Sequence, residues 1–206
     1  MHSQPKLSIL TPACWNRISE SSALSAKIEA QSAGLPRGTI EHIVMLDQRT
    51  RTVGMKRQAL LDAALGDYIA FVDDDDDIAD DYVACILEAI EAKPDVITFH
   101  GDCTYNGLQF TVHYNLGQTD ALLILDGEQG QIVKRNAWHT CAWKRELVSG
   151  CVFPDSSFGE DKVWSMQARR TAKNEAHIPR VLHYYRHDAR HTLAPEPGLV
   201  DTQAKA

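Results

Sequence analysis

The sequence predicts an α/β fold in which a mostly parallel central sheet is flanked by helices and carries a small antiparallel part. Three observations predict it. Short apolar runs alternate with helix-patterned segments from Leu7 to His100, the order of a parallel sheet with covered faces. Tyr68 to Val72 is apolar at almost every position, as expected of a strand buried on both sides. Between Thr104 and Arg135 the pattern changes to short alternating runs broken by Gly107, Gly117, Gly127 and Gly130, which mark hairpins or edge strands.

Leu7 to Thr11 reads as the first strand, stopped by Pro12 before the loop Ala13 to Arg17. A helix follows from about Glu20 to Gln31, with Ser19 or a neighbouring serine as its cap, and ends before Gly34-Leu35-Pro36. Glu41 to Leu46 is a second strand closed by Asp47, and Val53 to Ala64 a second helix. Gly66-Asp67 separates that helix from Tyr68 to Val72. Asp81 to Glu91 is the next helix, capped by Asp80, and Lys93-Pro94-Asp95 turns into the strand Val96 to His100. Lys144 to Val148 forms a short helix, Glu160 to about Lys173 a longer one, and His177 to Tyr185 a late strand. The tail from Leu193 has no clear pattern.

The 206 residues are 44% hydrophobic, enough for one sizeable core but cramped for two, so one domain over 1–206 is expected. The formal charge of −7 shows no strong cationic surface for duplex nucleic acid. No apolar stretch approaches a membrane span of roughly 18 residues and no signal-peptide core is present, which predicts a cytoplasmic protein. The five cysteines are widely spaced and lack a CxxC, so neither a disulfide framework nor a cysteine zinc site is expected.

Asp73 to Asp77 follows the apolar strand directly, and ligands of open parallel sheets collect beyond the carboxyl ends of strands. Five consecutive carboxylates repel one another, and a divalent cation, Mn²⁺ or Mg²⁺, offsets that cost with phosphate completing its shell. In an extended segment Asp73 and Asp75 face the same side. One then serves the metal and the other sugar or ribose hydroxyls.

Tyr68 to Tyr82 resembles the nucleotide-binding segment of family 2 glycosyltransferases of the GT-A fold, an apolar strand followed by Asp-x-Asp-Asp and, four positions on, Asp-Tyr. The alignment puts the Asp-x-Asp at Asp73 and Asp75, with Asp76 as the trailing acid. Leu7 to Arg17 is similar to the family's first strand and its Pro-x-x-x-Asn-Arg loop. Gly54-Met-Lys-Arg-Gln58 and Ala63 to Asp67 are similar to its Gly-x-x-Arg-Asn helix and the turn after it. The resemblance is good over residues 7–82 and resumes at 145–164. It implies donor contacts from Pro12, Asn16, Arg17, Asp47, Lys56, Arg57, Asp73 and Asp74, and a metal on Asp75. It also implies a GT-A-like domain with a nucleotide-sugar-binding half at about 7–100, an acceptor and catalytic half at about 101–192, and a tail over 193–206. Asp47 is followed by Gln48-Arg49-Thr50 where the family has Gly-Ser.

Phe158-Gly-Glu-Asp161 before the last long helix resembles the family's catalytic segment, which implies Asp161 as the base on the acceptor hydroxyl and Glu160 beside it orienting that hydroxyl. A metal and Lys56 or Arg57 would stabilise the leaving diphosphate, and one carboxylate would activate the nucleophile on the opposite face of the sugar. A single displacement of this kind inverts the anomeric centre, whereas retention needs a second, nucleophilic carboxylate. His183 to His191 resembles the terminal strand of the family, with His187 or His191 completing the metal sphere or touching the diphosphate. Trp138, His139 and Trp164 are the expected acceptor contacts.

The function expected is metal-dependent, inverting glycosyl transfer from a UDP- or GDP-sugar to the hydroxyl of a glycan, small molecule or modified macromolecule. The alternatives are a nucleotidyltransferase and a non-catalytic acidic module holding a metal or sugar. The first would normally carry a Gly- and Lys-rich phosphate loop, absent from Pro12 to Arg17, and the second has no EF-hand spacing in Asp73 to Asp77.

Overall fold

The computed structural model describes residues 4–105, 107–119, 124–127 and 130–187. Leu7–Cys14 forms β1, buried along its whole length, with β2 (Ile40–Asp47) parallel on one side and β3 (Tyr68–Phe71) parallel on the other. β1 does not stop at Pro12. Its pairing with β3 ends at Leu10↔Phe71, while pairing with β2 continues to Cys14↔Asp47. The Leu10 carbonyl accepts from Val72 and the Cys14 N–H donates to Asp74, so the alternate residues between them turn their polar groups the same way. The N–H that Pro12 lacks would therefore have pointed past the end of β3, where no strand needs it.

A short 3-10 turn, Trp15–Arg17, leads into α1 (Ile18–Ser32). Arg17 holds its N-cap position, and the Ser19 hydroxyl bonds Glu20 instead of capping. α2 (Val53–Ala63) is capped by Thr52, whose hydroxyl accepts from the Met55 N–H. β4 (Asp77–Ile78) and α3 (Tyr82–Ile90) follow the acidic run, with Asp81 rather than Asp80 at the N-cap and no side-chain cap.

β5 (Val96–Tyr105) runs five residues beyond the expected end because it forms an antiparallel hairpin with β6 (Leu108–Asn115). β7 (Ile124–Gly127) and β8 (Gly130–Asn136) make a second hairpin, and β8 joins β6 in parallel. β9 (Ala142–Lys144) is wedged antiparallel between β3 and the start of β5. α4 (Arg145–Val148) and α5 (Glu160–Thr171) precede β10 (Glu175–His187), which lies parallel to β5 and antiparallel to β4. The sheet order is β2-β1-β3-β9-β5-β6-β8-β7, with β10 off this path, and most paired positions are parallel. The α/β class with a mixed, mostly parallel sheet is borne out.

β3 shows how the sheet divides two cores. Ile69 and Phe71 pack with Leu60, Trp143 and Trp164 on one face, while Tyr68, Ala70 and Val72 pack with Leu24, Ile28, Tyr82 and Ile86 on the other. With both faces covered, the strand's polar groups and side chains become available to a ligand only where it ends, at Asp73.

Candidate active site

The acidic run is not extended. The Asp76 N–H donates to the Asp73 carbonyl at 3.1 Å, closing a turn that sends the five carboxylates in different directions. Asp73 takes both oxygens to Arg57 Nη2 at 2.7 Å. Asp74, fully buried, accepts the Cys14 N–H at 2.8 Å and Arg17 Nη2 at 2.5 Å. Asp75 accepts Arg17 Nη1 at 2.9 Å, Asp76 meets His183 Nε2 at 2.9 Å, and Asp77 meets Lys27 at 3.0 Å.

Two expectations are corrected here. Asp73 and Asp75 do not face one ligand, because the turn points them at different guanidinium groups. The repulsion within the run is offset by Arg57, Arg17, His183 and Lys27, so relief of that repulsion is no argument for a metal.

The charge balance is uneven along the run. Burial, followed by the neighbouring charges of Asp73 and Asp76, pushes the Asp75 carboxyl up to about 7 in spite of Arg17. Its side chain is nevertheless 44% exposed, the open carboxylate of the inner four. Burial opposes a charge on His183, but Asp76 beside it raises the imidazole above its ordinary range. Both members of that pair are buried; the sequence marks Asp76 as the trailing acid of the motif but gives His183 no role. The available signal was a histidine on a strand directly after Leu182, a core position.

Arg57 connects the two acidic motifs. Its guanidinium is 3% exposed; Nη2 holds Asp73 and Nη1 donates to Glu160 at 2.7 Å. Glu160 is itself buried, and burial raises its carboxyl even though Arg57 works against the shift. Glu160 and Asp161 open α5 after Gly159, whose φ of +76° supplies a left-handed turn that favours glycine. Asp161 is exposed to solvent over 29% of its side chain and accepts the Lys162 N–H at 2.7 Å. The carboxylates of the first turn sit at the positive end of the helix.

His139 Nδ1 stands 3.8 Å from Asp161. Burial, aided by the charges on Arg57 and His183, drives the His139 imidazole well below its usual range. The approach is therefore that of a neutral ring to a carboxylate, too long for a hydrogen bond.

The loop before α5 is tied to α2: Gly54 N–H donates to the Ser156 carbonyl, Val53 N–H to the Ser157 hydroxyl, and Thr52 to Asp155. A Cβ on Gly54 would lie 1.9 Å from the Pro154 carbonyl oxygen, so only glycine permits this approach.

At the C-terminal ends of β1 and β2, Asp47 gathers Lys56 at 3.1 Å and the backbone N–H groups of Arg49 and Arg51. Lys56 is buried and also donates to the Ala13 carbonyl at 2.9 Å. It is thus committed to holding Asp47 and β1 together rather than lying open to a diphosphate. Pro12 is buried in β1 and Asn16 is exposed. Trp15, one residue past the Cys14↔Asp47 pair, is 56% exposed, an aromatic face that the sequence reading passed over.

The aromatic acceptor residues are corrected. Trp164 is fully buried, stacked on Phe153 at 5.0 Å and set edge-on to Phe71 and Trp143, so it is core. Trp138 is 5% exposed beneath Arg135, whose guanidinium lies 3.4 Å from its ring centre, and it has no open face for a sugar. His187 pairs through its backbone with Tyr105, while its side chain and the whole of His191 lie outside the described residues. Among the described residues no group of three His, Cys, Asp or Glu converges as a metal site.

The family model for glycosyl transferase family 2 matches residues 37–149, more than half of the chain. The chain belongs to glycosyl transferase family 2. β1 and the Glu160–Asp161 pair lie outside the matched span and join the site through Cys14–Asp74 and Arg57. The fold is similar to that of S. aureus TarS 1-349 in complex with UDP, with a TM-score of 0.65 at 17% identity over 89% of this chain. The UDP-GlcNAc complex of the same TarS fragment gives 0.65 at 16% over 89%. The chain spans 61% and 59% of those two TarS chains. No curated protein matches the chain at a significant level. The likeness carries the GT-A-like fold to this family 2 member.

Proposed function

We propose that the family 2 chain is an inverting glycosyltransferase that moves a sugar from a UDP- or GDP-linked donor to an acceptor hydroxyl with the help of Mn²⁺ or Mg²⁺. The carrying observation is Arg57, which ties Asp73 at the end of β3 to Glu160 at the start of α5 and so draws the two acidic motifs into one site. The bound UDP and UDP-GlcNAc of the TarS structures support a donor of this class.

In this reading the base of the nucleotide lies against exposed Trp15 beside Asp47, and the ribose and sugar reach part-exposed Asp73, with buried Asp74 holding Cys14 and Arg17 behind it. Asp161 takes the acceptor proton. Glu160 is already ion-paired with Arg57, so it orients the first turn of α5 rather than the acceptor hydroxyl, and it is not free to attack the sugar. That leaves Asp161 as the open carboxylate of the pair and supports a single displacement with inversion.

The donor set fits a cation shared between Asp75 and phosphate oxygens, not a preformed protein cage. Arg17, Lys27, Lys56 and Arg57 are all matched to carboxylates, so an arriving diphosphate meets little unmatched positive charge. When bound there, the cation would stabilise the charge that develops on the leaving diphosphate.

We place the chain as one GT-A-like unit in the cytoplasm, where nucleotide sugars and reduced thiols coexist. All five cysteines are free, and no helix among the described residues is long and apolar enough to cross a membrane.

Calorimetry with UDP, GDP and their sugars, with Mn²⁺ and in chelator, tests the reading. Mass spectrometry of products formed with glycan and small-molecule acceptors completes it. Binding of a nucleoside diphosphate that strengthens with Mn²⁺ is the expected result; no binding of either nucleotide in any condition would remove the proposal.

A further inference from the structure

Arg17 is held unequally at its two ends. Nη2 meets Asp74, a carboxylate with no solvent exposure that also accepts the Cys14 N–H. Nη1 meets Asp75, whose side chain is 44% exposed. Nε is buried without a hydrogen-bond partner among the described residues. Breaking the first contact would strand a buried charge, which is strongly unfavourable. The second contact is an ion pair open to water, and such pairs contribute little. The guanidinium therefore has a fixed end and a releasable end.

The releasable end covers the carboxylate that the proposed function gives to the cation. One oxygen of Asp75 already accepts an Arg17 N–H at 2.9 Å, so a cation and Nη1 compete for that carboxylate. A diphosphate beside Asp75 offers Nη1 a better partner, because guanidinium groups pair with phosphate through directed, charge-assisted hydrogen bonds.

We infer that Arg17 is a latch: in the free protein its Nη1 closes Asp75, and the donor's diphosphate draws that end away while Nη2 stays anchored on Asp74. The donor thereby uncovers the carboxylate that shares the cation with it. Nucleoside diphosphate and divalent ion bind with positive coupling, and neither binds well alone. This inference rests on the nucleotide-donor reading and adds to it an order in which the site is assembled.

The probes are Mn²⁺, followed by electron paramagnetic resonance of the free ion, and UDP, followed by calorimetry. In the wild type UDP should tighten Mn²⁺ binding by a factor within the roughly 5- to 150-fold range of coupled sites. Arg17→Lys keeps a charge on Asp74, but one ammonium does not span both carboxylates as the guanidinium fork does. This variant should bind Mn²⁺ alone several-fold more tightly than the wild type and lose the part of the coupling that comes from uncovering Asp75, while the part from phosphate oxygens on the shared cation remains.

Asp75→Asn supplies an independent arm in chelator. It should tighten UDP binding more in the wild-type background than in Arg17→Lys, because only the wild type has a guanidinium end to release. Relief of negative charge by itself would give the same gain in both backgrounds. Equal Mn²⁺ affinity in wild type and Arg17→Lys, or equal gains from Asp75→Asn, would overturn the latch. Failure of UDP and GDP to bind at all would remove the donor reading instead, and the measurement with Mn²⁺ alone would still judge whether Arg17 covers Asp75.

Discussion

The Arg57 guanidinium stands 2.7 Å from the Glu160 carboxylate, and both side chains are almost wholly shielded from solvent. The residues are 103 positions apart in the chain and belong to α2 and α5. Since the same guanidinium holds Asp73, truncating it leaves two carboxylates without their counter-charge at the junction of two helices and a strand. Arg57→Met should therefore cost about 3–5 kcal/mol of folding stability. Urea unfolding followed by circular dichroism measures this, and a loss below about 1 kcal/mol would mean that the bridge is dispensable. Glu160→Gln, which keeps the shape and removes one charge, should cost less.

Gly54 is the steric counterpart of that bridge. A methyl group there would meet the Pro154 and Ser156 carbonyl oxygens at 1.9 and 2.9 Å, and these are backbone atoms with little freedom to retreat. Gly54→Ala should push the 154–158 loop off α2 at a cost of about 1–3 kcal/mol or more. Turnover should fall too, since the loop leads directly into Glu160 and Asp161. A melting temperature within error of the wild type would refute the proposed contact.

Much of the fold over the first hundred residues was legible because its signals are local. Alternating apolar runs gave β1 to β3 and the helices between them, and Asp73 to Asp77 marked the strand end. Pairings made across the chain were not legible. Nothing near Asp76 in sequence announces His183, 107 residues away, and nothing near Arg57 announces Glu160. The aromatic residues misled for a related reason. Trp138 and Trp164 have the composition of a sugar platform, but Trp138 is covered by Arg135 and Trp164 by Phe153, Phe71 and Trp143. Pro12 read as a stop because its missing N–H counts against a strand, and only the early end of β3 removes that penalty.

The corrected place of Trp164 has its own consequence. Trp164→Ala should destabilise the fold by about 3–5 kcal/mol, as a large cavity in a packed core does. An acceptor contact would instead raise the acceptor KM and leave the unfolding midpoint unchanged. Differential scanning calorimetry of the variant separates the two.

A second histidine site gives the fold a pH dependence. His100 of β5 and His113 of β6 stack across the hairpin, with ring centres 3.6 Å apart and planes 5° apart, and His177 of β10 lies 5.2 Å from His100. Burial, then the charges that His113 and His177 would carry, lower His100 to about 4; burial and His177 also lower His113. Both rings are neutral in the fold and take up protons more readily when unfolded. Their contribution is therefore complete above the unfolded value near 6.5 and is lost as the pH falls from there toward about 4. Between pH 7 and 5 the loss from this cluster should be about 1 kcal/mol once its partial exposure to solvent is allowed for. Urea midpoints should fall less across that range in His100→Gln than in the wild type, and the difference between the two isolates the cluster from Asp75 and His183, whose raised values act in the opposite sense. Parallel curves for the two proteins would exclude it as the source.

Asp161 carries the chemical prediction. It opens α5, its side chain reaches solvent, and its neighbour Glu160 is locked to Arg57. Asn at this position keeps the volume and can still accept the Lys162 N–H, so folding and donor affinity should be preserved. It cannot accept the acceptor's proton, so the loss falls on turnover, on the order of 10² to 10⁴-fold at saturating donor. Glu160→Gln provides the comparison. If Glu160 is an orienting residue it should lower both stability and rate through its lost pairing with Arg57, whereas Asp161→Asn should lower the rate alone. The proposed single displacement adds a stereochemical check, because one displacement by an alcohol that Asp161 deprotonates must invert the anomeric carbon. Proton NMR of the product reads that configuration from the anomeric coupling. A retained configuration, or near-normal turnover by Asp161→Asn, would require a different carboxylate at the centre of the reaction.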